Sequence, residues 1–104
     1  MRVRCLAAAV LFAAFGCGGS AVPHPTDAHL ARARARWPNT TRASLERGRT
    51  IYVARCSGCH PLHSPATHPA SQWAAVVDEM APRARLSPAE RDLVLRYLTA
   101  ASQR

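Results

Sequence analysis

Lysine is absent from this chain: all fourteen basic residues are arginine, against six acids, for a formal charge of +8. Aromatics are scarce, two each of Trp, Tyr and Phe, and they do not interleave with a basic stripe. Nucleic acid is therefore not an expected partner, and the richness in Arg and Ala reads as base composition as readily as binding. No cysteine follows Cys59, so the second cysteine pair that a structural zinc site wants is missing. No apolar run approaches the ~20 residues needed to cross a bilayer. No segment alternates as a strand does and no internal repeat occurs, which removes the βαβ scaffold on which a dithiol oxidoreductase normally sits. An all-α chain remains.

The most specific feature present is Cys56-Ser57-Gly58-Cys59-His60. The spacing C-x-x-C-H is the attachment signature of a c-type haem. Two thiols three positions apart add across the porphyrin vinyl groups, and the next residue, His60, is left beneath the macrocycle to take the iron. Two blander readings stand beside it. Cys56 and Cys59 form a redox-active or structural dithiol in one. In the other they are zinc ligands completed by His63 and His68.

The amino terminus bears on the choice. Arg2 and Arg4 precede an apolar run from Leu6 to Phe15, and the small-residue stretch Gly16-Cys17-Gly18-Gly19-Ser20 follows. These are the three parts of an export signal, and c-type haem is attached outside the cytoplasm. Ala14-Phe15-Gly16-Cys17 resembles a bacterial lipobox, although Ala14 stands where Leu is usual. The expectation is a lipoprotein-type signal over residues 1–16, cleaved before a lipidated Cys17. Gly18 rather than Asp then resembles outer-membrane sorting, leaving outer or inner membrane undecided. Ordinary cleavage near Ala21, giving a soluble periplasmic protein, is the alternative. Of 104 residues, loss of 16 leaves 88, enough for one small domain.

Residues 17–40 read as a tether. Pro23, Pro25 and Thr26 suggest extended chain, and His29 to Arg36 is a short helix without a convincing apolar face. The domain proper is expected over residues 41–104. From Ser44 to Arg55, Leu45, Gly48, Ile51 and Tyr52 share one helical face. Gly48 costs that helix ~1 kcal/mol relative to Ala, which is explained if another helix approaches closely. Trp73, Val76, Val77 and Met80 fall at i, i+3, i+4 and i+7 in a second helix from about Ser71, closed by Pro82. Ser87-Pro88-Ala89-Glu90 starts a third, with Ser at the cap, Pro first and Glu third. Leu93, Val94, Tyr97, Leu98 and Ala101 form its buried face.

Between about Ser44 and Ala101 these residues resemble a class I c-type cytochrome: Gly48 and Tyr52 before the motif, C-x-x-C-H itself, and Arg96-Tyr97-Leu98 in the last helix. The resemblance implies about three helices around one covalently attached haem c, with Gly48, Tyr52 and Tyr97 where the flanking helices cross. It implies His60 as proximal iron ligand and a distal methionine shortly before the last helix, the position of Met80. Met80 is equally the last core residue of its helix, and His68 and His63 in the Pro-rich loop are alternative ligands. A proline after the motif packs on the proximal imidazole in that family, which points to Pro65, with Pro61 second. Tyr52, Pro65 and Trp73 are the candidates for packing against the haem.

Single-electron transfer at the periplasmic side of the cell envelope is the function these expectations describe: a carrier, not an enzyme, exchanging electrons with redox proteins of acidic surface. No metal other than haem iron is expected. A five-coordinate haem that binds or activates a small ligand is the alternative. A haem-free dithiol enzyme is the weakest.

Overall fold

The computed structural model describes residues 21–58 and 61–102. Among them are four α-helices, α1 (Asp27–Arg36), α2 (Arg42–Cys56), α3 (Trp73–Met80) and α4 (Pro88–Ala101), with short 3-10 turns at Pro65–Thr67 and Ala70–Gln72. There is no strand among the described residues, so the all-α expectation holds. None of these helices is long and apolar enough to cross a membrane. Cys17 and the export signal lie outside the described residues.

Three of the four helices start on a capping box. Thr26, Thr41 and Ser87 each accept the backbone N–H three residues on, and the side chain at that third position returns to the cap's own N–H. Two donors that the helix geometry leaves without partners are satisfied together each time. The start of α4, with Pro88 at its first position and Glu90 at its third, is the one the sequence described. For α1 the third residue is His29, whose Nδ1 accepts from the Thr26 N–H at 3.2 Å.

The core sits where α2 and α4 cross. Gly48 lies against the α4 backbone so closely that a Cβ placed on it would stand 2.2 Å from the Leu93 carbonyl oxygen and 3.0 Å from Tyr97 Cβ. Only a residue without a side chain permits this approach. Tyr52, Trp73, Val77, Val94, Tyr97 and Leu98 pack into one buried cluster around the crossing. Ala33, Leu45 and Ala100 form a smaller second cluster.

The second cluster brings a finding the sequence reading did not contain. The segment taken as a tether with a solvated helix is packed from Val22 onward. Val22 is 5 % exposed and belongs to the main cluster. Its carbonyl accepts from Arg49 Nε at 3.1 Å, and the Pro25 carbonyl from Arg42 Nη1 at 2.8 Å. The Tyr97 hydroxyl donates to the Pro23 carbonyl. Helix α1 then lies on α4: His29 and Ala33 are buried, and Arg32 Nη1 donates to the Ala100 carbonyl at 3.1 Å. Arg36 and Arg96 both stack on the Trp37 ring, at 4.6 and 5.4 Å from its centroid. Among the described residues α1 thus joins the about three helices expected, making four. The missed signal is physical: α1 buries a histidine and an alanine and holds on through arginine-to-carbonyl bonds, none of which leaves a hydrophobic stripe.

Helix α3 ends in a Schellman turn. Leu86 N–H donates to the Ala81 carbonyl at 3.0 Å, and Arg85 N–H to the Pro82 carbonyl at 3.2 Å. That motif needs a left-handed residue at its turning point, usually glycine. Here it is Arg85, with φ 53°.

Two outcomes follow from this packing. Gly48→Ala should lower stability by about 2–3 kcal/mol, a fall in Tm on the order of 10 °C, whereas Gly58→Ala, with nothing within 4 Å of its added methyl, should not. His29 is shifted below its ordinary 6.5, by burial first and Arg32 second. The unfolded chain therefore binds the proton more readily, so the docking of α1 is full above pH 6.5 and weakens as pH falls below it. Amide exchange across Leu30–Ala33 as a function of pH reads this directly. His29→Gln, which keeps a capping-box side chain, should flatten the dependence.

Candidate functional site

Helix α2 carries Tyr52 one turn beyond Gly48 and Cys56 one turn beyond Tyr52. The crossing that Gly48 permits therefore sets both over the Val94 and Leu98 face of α4. The stripe Trp73, Val76, Val77 and Met80 closes a second side from α3, and Leu86 a third. Together they line a cleft of about 600 Å³ of empty space, counting its open mouth, whose walls are overwhelmingly apolar. That size and character suit a bound cofactor.

His63 and His68 reach the same cleft from the loop after the attachment motif. Two hydrogen bonds from wall aromatics fix that loop. The Tyr52 hydroxyl donates to the His63 carbonyl at 2.6 Å, and buried Trp73 Nε1 donates to the Pro65 carbonyl at 2.9 Å. The His68 ring meets Trp73 edge-on, with centroids 4.9 Å apart, and the His63 and His68 rings are 6.4 Å apart. Burial is the leading cause that pushes the Tyr52 hydroxyl up to about 12, with Cys56 adding to it. It stays a neutral donor at any physiological pH. Burial likewise raises the Cys56 thiol.

Most of the residues named from sequence therefore meet at one place. Cys56, Tyr52, Trp73, Met80, His63 and His68 all line the cleft. Pro65 stands behind it, buried, with its carbonyl bonded to Trp73. Cys59 and His60 lie outside the described residues. Val76, Val77, Leu86, Val94 and Leu98 were absent from the sequence-derived site. Val94 and Leu98 did carry a signal, the apolar face of α4, but periodicity marks a buried face without saying what it is buried against.

Residues 52–104 match the family described as dihaem cytochrome c. The chain belongs to that family. Neither a curated protein nor a solved structure matches it. Membership in the dihaem cytochrome c family makes this a c-type cytochrome, with covalently held haem and a role in haem-based electron transfer. The family carries a dihaem description and not specifically a class I mono-haem one, while C-x-x-C-H occurs once in this sequence. The match begins at Tyr52 and takes in the whole wall from Cys56 to Leu98, while α1 and most of α2 precede it.

The residues of the cleft fit a haem. Its walls are apolar and aromatic as a porphyrin face requires, Cys56 of the attachment motif stands on them, and a thioether and two imidazoles border the same space. When bound, the haem supplies a one-electron iron couple. The chain's own contribution is to exclude water with Val76, Val77, Val94 and Leu98, and to hold the loop through the Tyr52 and Trp73 hydrogen bonds. Those bonds fix the backbone of the loop that carries His63 and His68.

Trp73→Phe keeps the aromatic wall but leaves the buried Pro65 carbonyl without its donor, and should cost about 1–3 kcal/mol. Tyr52→Phe removes a part-buried bond whose acceptor His63 is exposed, and should cost less, about 0.5–1.5 kcal/mol. Denaturant unfolding of the holoprotein orders the two; the reverse order would mean that the Trp73 bond does not pin the loop.

Proposed function

We propose that this chain is a one-haem electron carrier, exported and held at the periplasmic side of the cell envelope by a lipid on Cys17. The single observation that carries the reading is the apolar cleft bordered at once by Cys56, Met80, His63 and His68. Cys56 and Cys59 attach the haem and His60 binds its iron on the proximal side. Met80 supplies the distal sulfur, with His68 and His63 as the alternatives. It ends α3 on the stripe that faces the cleft, so being the last apolar residue of its helix and reaching the cofactor are one position, not two. Thioether ligation favours the ferrous state and raises the potential. No substrate pocket is required, and the partners are redox proteins with acidic surfaces.

The packed amino-terminal segment supports a close anchorage. Val22 is already part of the core, so five peptide steps separate it from Cys17. A fully extended chain of that length spans about 17 Å. An acylated Cys17 therefore keeps the haem domain at the bilayer surface, within reach of membrane-bound oxidoreductases.

The test is the ferric absorption spectrum, carried into the near infrared, of protein matured with its haem in a periplasmic host. A low-spin spectrum with a weak sulfur-to-iron charge-transfer band, lost in Met80→Ala, is the expected result. A low-spin spectrum without that band moves the ligand to His68 or His63. A high-spin spectrum would overturn simple electron transfer in favour of an open iron position and ligand chemistry.

A further inference from the structure

We propose that the junction of α1 and α2 binds a phosphate group between Arg36 and Arg96, whether of a free phosphate or of an anionic lipid headgroup. The site shares no lining residue with the cleft, so it does not depend on the carrier reading. Trp37 and Thr40 close a turn there. The Thr40 N–H and hydroxyl both donate to the Trp37 carbonyl, at 3.0 and 2.8 Å. Three arginines gather on that turn. Arg34 Nε donates to the Thr40 carbonyl at 2.9 Å, and Arg96 Nη1 lies 3.4 Å from Thr40 Oγ1. The Arg36 and Arg96 guanidinium groups both stand over the Trp37 ring. Arg36, Trp37, Pro38, Asn39 and Arg96 line a hollow of about 330 Å³ of empty space, counting its open side.

Like charges gathered in one place repel unless an anion offsets them, and the chain supplies little that does. Of its six acids, Asp27, Glu46, Asp78 and Glu90 are held by Arg42, His24, Arg91 and Arg55. Asp92 pairs with Arg96, its Oδ2 3.0 Å from Nε, yet that buried nitrogen donates no hydrogen bond. Arg34 and Arg36 both stand in the last turn of α1, where a cation complements the helix dipole. Arg34 is also fully employed, on the Thr40 carbonyl. The Arg36 side chain makes no ion pair or hydrogen bond to any described residue. Resting a guanidinium face on an indole leaves its N–H edge open, and that edge is the fork that grips an oxyanion. A carboxylate's two oxygens suit one such fork, whereas the tetrahedral oxygens of a phosphate can be shared between two. Arg36 and Arg96, over one ring and beside one hollow, are placed to share them.

The test uses ferrous holoprotein bearing Cys17→Ser, which no acyl chain can carry to a bilayer. Inorganic phosphate is titrated at low ionic strength and near neutral pH while the Trp37 indole N–H resonance is followed by NMR. In parallel, the same protein is sedimented with phosphatidylglycerol vesicles. Arg36→Gln loses only its contact with Trp37, so its Tm should stay within a few degrees of the parent value. Its affinity for phosphate should nevertheless fall roughly tenfold. Arg83→Gln removes the same charge at another exposed position and should leave the affinity unchanged. A saturable Trp37 shift with this pattern establishes the site for phosphate free in solution. No shift with phosphate, but sedimentation with vesicles that Arg36→Gln abolishes and Arg83→Gln keeps, assigns it to a lipid headgroup. Binding in neither arm overturns the site. Equal weakening by the two substitutions also overturns it, because net charge alone would then account for the binding.

Discussion

The approach of α2 to the α4 backbone at Gly48 governs the rest of the molecule. A methyl group there would lie inside the Leu93 carbonyl; its absence lets the two helices touch. Tyr52 and Cys56 follow at successive turns of α2, and Val94 and Leu98 at successive turns of α4. Both pairs are consequently delivered to the same cleft. The attachment cysteine is thus located by a packing contact two turns away, and the pocket inherits the rigidity of the helix pair. Tyr97 secures the crossing from its other side by bonding back to Pro23.

How far the sequence could be read follows from what kinds of interaction leave a periodic trace. The crossing glycine, the Trp73–Met80 stripe and the Ser87 cap all did, because each demands a residue type at a fixed spacing. The stripe also shows the limit of periodicity. Trp73, Val76, Val77 and Met80 were equally a core face and a cofactor wall in sequence, and in the structure they surround the cleft. The two readings differ only in what fills the space opposite, which no residue in the stripe encodes.

The amino-terminal segment was opaque for a different reason. Its attachment runs through backbone carbonyls of Val22, Pro23 and Pro25, each accepting from an Arg or Tyr side chain far along the chain. Any residue has a carbonyl, so such bonds impose no pattern on the segment that accepts them. Only the donors are specific, and Arg42 and Arg49 look like ordinary solvated charges on a helix. A chain whose cations are all arginine is suited to this use. The guanidinium presents a fork of donors and is weakly hydrated, so it reaches buried carbonyls at less desolvation cost than an ammonium group.

The two hydrophobic clusters divide the labour of a domain this small. The cluster of Ala33, Leu45 and Ala100 closes on itself where α1, α2 and α4 meet. The larger one, from Val22 to Ala101, borders the cleft, where a bound haem would add to its contacts. Small domains bury too little apolar surface to be secure unaided, and a covalent haem remedies that only after attachment. The Ala33, Leu45 and Ala100 cluster and the Gly48 crossing are built from the chain's own atoms alone, and both bear on α2. They brace α2, which ends on Cys56, and leave the cleft beside it as the part of the core that a haem would fill.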